Sequence, residues 1–190
     1  MTDLAYQDFG PRDARPVVFT GSIASSTDMW LPQLDALAGG FRVIAVDHPG
    51  HGRSPDPHAG PGVTALPDLA ADVLAVADAL GVGEFDIVGL SLGGAIAQWL
   101  AATSGRVGRA VCMCTGAFMG GADTWVPRAG QTRADGMAPR VDGAVELWVT
   151  EAFRHTHPAT TEALRRMILS TRGTGYAACA DALAGWDFTD

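Results

Sequence analysis

The chain has 190 residues, 47% of them hydrophobic, which is enough for one substantial buried core and crowded for two. A formal net charge of −8 with no basic run excludes a polyanion such as nucleic acid as a partner, because such binding needs a basic face to displace counterions. Met1 to Gly10 lacks the charged and then apolar pattern of a secretory signal, and no apolar window reaches membrane-spanning length, so a soluble protein with a cytoplasmic address and no membrane partner is expected.

In chain order, Pro16 leads into Val17-Val18-Phe19-Thr20, a short apolar run that stops at Gly21-Ser22 and predicts a buried strand entering a functional loop. Met29 to Leu37 places Trp30, Leu34 and Leu37 at helical spacing, with Thr27 or Asp28 as N-cap and Pro32 in the first turn. Phe41 to Val46 predicts the next strand, and Pro49-Gly50-His51-Gly52 beyond it is a turn. Leu66 to Leu80 carries Leu69, Val73, Val76 and Leu80 on one helical face and ends at a Gly81 C-cap. Phe85 to Leu90 predicts a strand, Gly93 to Ala102 a small-residue helix, and Val107 to Thr115 a further strand. Cys112 and Cys114 fall on one face of that strand and read as reduced core thiols. With Cys179 the chain holds three cysteines, and neither a disulfide nor a metal site is expected.

Strand, helix, strand, helix, strand, helix, strand implies a mostly parallel α/β sheet flanked by helices. After Gly116 the pattern changes to four helical segments, near Asp123 to Arg133, Val141 to Phe153, Thr160 to Thr171 and Tyr176 to Leu183, with no strand among them. Residues 1–116 are therefore expected to form a core and residues 117–190 a helical cap over it. All 13 basic residues are arginine, and neither lysine nor asparagine occurs, as expected for a G+C-rich bacterial coding sequence.

The chemistry concentrates at Gly89-Leu90-Ser91-Leu92-Gly93-Gly94, where a predicted strand delivers a serine onto a tight turn before a helix. Glycines on both sides suit a strained turn that holds Ser91 out as a nucleophile, where a β-carbon would strike the neighbouring elements. Acyl transfer at a serine also needs backbone donors for the oxyanion, and the amides of Leu92 and Ile23 are the candidates. A general base is harder to place. His155 and His157 follow Ser91 but fall in the cap, where a helix end is their plainer role, and His48 and His51 fit hydrogen bonding within their own loop. Asp123 is a candidate acid or an ordinary exposed carboxylate of the cap.

The Gly89 to Gly94 turn, the run Asp47-His48-Pro49-Gly50-His51-Gly52-Arg53-Ser54 and Met29-Trp30 together resemble the α/β-hydrolase fold. Met29-Trp30-Leu31-Pro32-Gln33-Leu34, Ala97-Gln98-Trp99-Leu100 and Gly175-Tyr176-Ala177-Ala178-Cys179 are similar to 3-oxoadipate enol-lactonases of aromatic-compound catabolism. Where many relatives carry His-Gly or His-Ser before the oxyanion residue, this chain has Gly21-Ser22, which keeps a backbone donor. The resemblance implies hydrolysis of a small-molecule lactone or ester through an acyl-enzyme on Ser91, with no cofactor or metal. A dicarboxylate-like substrate calls for a cationic anchor, for which Arg128 beside Trp125 is the candidate and Arg133 the competitor. The family would continue past the cap into two strands bearing the catalytic Asp and His, whereas this chain stops at Asp190. The resemblance thus implies a fold lacking its final strands and a 190-residue chain that is inactive by itself. Another carboxylic-ester hydrolase of the same fold, and a non-catalytic ligand-binding or interaction protein, are the alternatives.

Overall fold

In the computed structural model, which describes residues 4–189, alternation along the strands decides which side of the sheet each residue enters. β1 (Tyr6–Phe9), β2 (Pro16–Thr20), β3 (Arg42–Val46), β4 (Phe85–Leu90) and β5 (Val107–Met113) make one sheet in the order β1-β3-β2-β4-β5. Every neighbouring pair is parallel except β1 with β3. The sequence reading missed β1, a four-residue edge strand whose polar, half-exposed YQDF has no apolar pattern to betray it. Met1–Asp3, at the head of the stretch read for a signal, and Asp190 lie outside the described residues.

Val18, Ile44, Val46 and Ile87 face the larger core, which they share with α2 (Leu66–Ala79) and α3 (Leu92–Thr103). Val17, Phe19, Val43 and Ala45 face a smaller one, closed by Trp30 of a short 3-10 helix, Thr27–Trp30, and by Leu34 of α1 (Leu31–Leu37), into which it runs directly. Phe19 and Trp30 meet there at 5.1 Å between ring centroids. The expected single helix from Met29 is thus two elements. The first is capped by Ser26, whose hydroxyl accepts the Asp28 amide, rather than by Thr27 or Asp28.

Beyond β5 the described chain has no further sheet strand. It builds α4 (Gly121–Asp135), a 3-10 turn at Ala138–Arg140, α5 (Val141–Trp148), α6 (Glu151–Thr156), α7 (Pro158–Ser170) and α8 (Gly173–Ala184). The segment expected as one helix over Val141 to Phe153 breaks at Thr150, whose hydroxyl caps α6 by accepting the Phe153 amide. α8 is buried along most of its length and packs against α4 and α2, so it joins this layer to the core.

One expectation is overturned. Cys112 and Cys114 are exposed, not core thiols, because β5 is the outer strand of the described sheet and most of its residues meet solvent. The strand also ends at Met113, and Cys114 turns into the left-handed region at φ 49°. Cys179 is the buried thiol, and desolvation pushes its pKa well above the usual range, which keeps it protonated and inert. No described helix is long and apolar enough to cross a membrane.

Candidate active site

Parallel pairing brings the carboxyl ends of the three central strands into line: Thr20 sits beside Val46 on one side and Gly89 on the other. The segments that follow β2, β3 and β4 consequently gather at one edge of the sheet, the position where open α/β sheets collect ligands. Ser91 follows β4 and immediately precedes α3.

Ser91 has φ 55° and ψ −113°, a conformation that costs an L-residue strain and persists only when its surroundings dictate it. They do. Its amide donates to the Met113 carbonyl at 2.8 Å and its carbonyl accepts from Ala95 at 3.0 Å. A β-carbon on Gly89 would lie 2.1 Å from the Gly93 carbonyl oxygen, and one on Gly93 would lie 2.1 Å from that of Thr20, so neither position admits a side chain. The Gly93 amide donates to Gly21 O at 3.0 Å and the Thr20 hydroxyl donates to Gly93 O at 3.1 Å, which ties the loop after β2 to the start of α3. Leu92 is the first residue of α3, where a helix leaves its amides without an acceptor of their own. Among the described residues, the Ile23 N–H likewise has no acceptor in the protein.

The loop after β3 supports this arrangement from below. Asp47 is buried, and its carboxylate accepts the Thr27 amide at 2.6 Å and the Arg53 amide at 3.1 Å. His48 and His51 are buried and meet edge to face at 5.7 Å. Desolvation holds both imidazoles below their ordinary pKa, His51 at about 3, so both are neutral at pH 7.

Ser91 opens into a cavity of about 370 Å³ whose floor is Ser22, Ile23 and Ala24 and whose wall comes from α4, α5 and α8. Trp125, buried, donates its indole N–H to Met119 O at 2.7 Å, and the Arg128 guanidinium lies 5.0 Å over its ring. The sequence did not single out Arg140 or Tyr176 for the site, yet both line the cavity, with the Arg140 guanidinium 5.2 Å over the tyrosine ring. Nη2 of Arg140 donates to Arg128 O and Gln131 Oε1, each at 3.0 Å, and its Nε donates to the Thr132 hydroxyl. Arg140 follows Pro139 in a 3-10 turn, a place that carries no sequence signal for ligand contact.

Among the described residues the lining includes no histidine and no carboxylate, and neither Arg128 nor Arg140 pairs with a carboxylate. Arg133 is diverted elsewhere, pairing with the buried side chain of Asp181. Asp123 sits in the first turn of α4 beside Phe118 and Trp186, outside the cavity. His155 is exposed and 3.6 Å from Glu151, while His157 stacks on Phe153 at 4.4 Å. Of the residues singled out from the sequence, Ser91, Ile23, Trp125 and Arg128 line one cavity, whereas Leu92, His48, His51, His155 and His157 are not in its lining. A larger groove of about 760 Å³ between α7 and the Thr27–Leu37 segment shares none of these residues.

Comparison with known proteins agrees with this architecture. A family model described as alpha/beta hydrolase fold matches residues 15–186. The chain is 32% identical over 185 residues to 3-oxoadipate enol-lactonase 2 of Acinetobacter baylyi, covering 97% of this chain and 68% of that one. It superposes on the crystal structure of the enol-lactonase from Burkholderia xenovorans LB400 with a TM-score of 0.92 at 32% identity, covering 98% of this chain and 72% of that one. A thermophilic esterase from Thermogutta terrifontis gives a TM-score of 0.89 at 28% identity, with 98% of this chain and 68% of that one covered.

Proposed function

The chain belongs to the α/β-hydrolase fold family, within its esterases and lactonases, and on that premise we propose that it is a serine hydrolase of a carboxylic ester or lactone, with 3-oxoadipate enol-lactone as the substrate. One observation carries the reading: the strained Ser91 shares a small cavity with the Ile23 amide and two arginines, and among the described residues the amide has no acceptor and the arginines no carboxylate partner. In this scheme the Ser91 hydroxyl attacks the ester carbonyl, and the amides of Leu92 and Ile23 receive the negative charge that develops on oxygen. The resulting acyl-enzyme is released by water. Arg128, held over Trp125, faces the substrate's carboxylate, and Arg140 supplies a second positive charge in the same wall. No cofactor or metal enters this chemistry.

The Ser91 proton needs an acceptor, and the cavity offers neither imidazole nor carboxylate among the described residues, so slow turnover by the 190-residue chain follows. The same observation favours a second reading, in which the cavity binds a small anionic ligand without cleaving it. A fluorophosphonate probe separates the two. Very weak labelling that disappears in Ser91→Ala, with slow hydrolysis of the enol-lactone, supports the hydrolase. Labelling that persists in Ser91→Ala sinks the assignment of the nucleophile, and tight binding of the lactone without any product supports the second reading.

A further inference from the structure

Two buried imidazoles outside the cavity remain to be explained. His48 and His51 stand three residues apart in the loop after β3, and neither ring reaches Ser91's cavity. Each instead contacts one end of the four-residue stretch Gly21 to Ala24. His48 Nε2 lies 2.9 Å from the Gly21 carbonyl, which can only accept, so this nitrogen carries the proton. His51 Nε2 lies 3.0 Å from the Ala24 amide, which can only donate, so this nitrogen is bare. The proton of His51 then sits on Nδ1, donated to Pro49 O at 2.9 Å.

The two rings are thus opposite tautomers, one a donor and the other an acceptor, and between their anchor points lie Ser22 and Ile23. Ala24 itself is held at φ 67°, a left-handed conformation unusual for alanine, and its amide has His51 as acceptor. The Gly21 carbonyl already accepts the Gly93 amide at 3.0 Å, so His48 reinforces a link between the loop and the first turn of α3.

We infer that His48 and His51 are positioning residues that clamp both ends of the Gly21 to Ala24 loop and so fix the direction of the Ile23 N–H beside Ser91. The consequence for catalysis rests on the proposed role of Ser91, whereas the clamp itself does not. An alkyl replacement for His51 would leave the buried Ala24 amide unpaired and remove what holds Ala24 in a strained conformation, whereas loss of His48 would leave the Gly21 carbonyl with the Gly93 amide alone.

The test uses the whole 190-residue chain, ¹⁵N-labelled, as wild type, His51→Ala and His51→Gln. In the wild type, long-range ¹H–¹⁵N spectra should show His48 protonated on Nε2 and His51 on Nδ1. Amide exchange at Ala24 should accelerate at least tenfold in His51→Ala while β2 and β4 amides keep their protection. The residual dipolar coupling of Ile23 N–H should then depart from the alignment frame of the sheet. His51→Gln, whose side-chain oxygen can accept the same bond, should keep Ala24 exchange within about threefold of wild type. Unchanged exchange and coupling in His51→Ala overturn the clamp, as does a loss of protection spread evenly over the sheet in both variants, or the opposite tautomers. None of these readouts requires Ser91 to react. Expected spectra together with a Ser91 that no organophosphate modifies would refute the proposed nucleophile and leave the clamp standing.

Discussion

The floor and the wall of the Ser91 cavity are built by different means. The floor is backbone: the Ser22 to Ala24 loop and the Ser91 turn beside it are located by glycine contacts, main-chain hydrogen bonds and two buried, neutral imidazoles. The wall is long side chains: Arg128 and Arg140 reach in from α4 and a 3-10 turn and rest on aromatic faces. A backbone site tolerates almost no change in volume because its neighbours cannot move aside, whereas guanidinium groups on flexible stems tolerate displacement and act through charge. Under the proposed function, the floor would receive an oxyanion at a fixed point and the wall would attract an anionic substrate.

The contrast is sharpest at Gly93. Gly93→Ala places a β-carbon on the Thr20 carbonyl, and the expected loss exceeds about 5 kcal/mol, enough to consume the whole folding margin. Urea unfolding checks it, and a folded Gly93→Ala protein would break the claim that the floor is rigid.

Acid should loosen the floor next. His51 binds its proton at about 3 in the folded state, where burial, His48 and Arg172 all oppose the charge, against 6.5 for an ordinary imidazole. Between those values the unfolded chain holds more protons, so the contribution of His51 is complete above pH 6.5 and declines as pH falls toward 3. The full decline amounts to about 5 kcal/mol at about 1.4 kcal/mol per pH unit. Denaturation of wild type and His51→Gln at pH 7 and pH 4 measures it, and the variant should show the shallower dependence.

The wall responds to charge. Arg140→Gln should weaken binding of a six-carbon dicarboxylate about tenfold by calorimetry, a loss of about 1.4 kcal/mol, with a smaller salt dependence and little change in thermal midpoint. Arg128→Gln should behave similarly. If either variant instead unfolds the protein, the wall is structural and the comparison with the floor fails. Smallest of all should be Asp142→Ala, which removes an exposed partner of Arg165 far from the floor and should shift stability by under about 0.5 kcal/mol in the same urea experiment.

The sequence by itself determined the parallel core, because buried strands of Val, Ile and Phe and the amphipathic face of α2 carry their periodicity locally. It also determined the Ser91 turn, since glycines at 89 and 93 record where backbone comes too close for a side chain. Edge strand β1 and the exposure of Cys112 and Cys114 stayed hidden because they depend on which strands have neighbours, a property of the sheet and not of the segment. Arg140, Tyr176 and the two histidine anchors were decided only by tertiary structure. Their roles come from partners distant in the chain, among them Tyr176 for Arg140 and Ala24 for His51, and a hydrogen bond or cation–π contact across such distances leaves no spacing in the sequence to read.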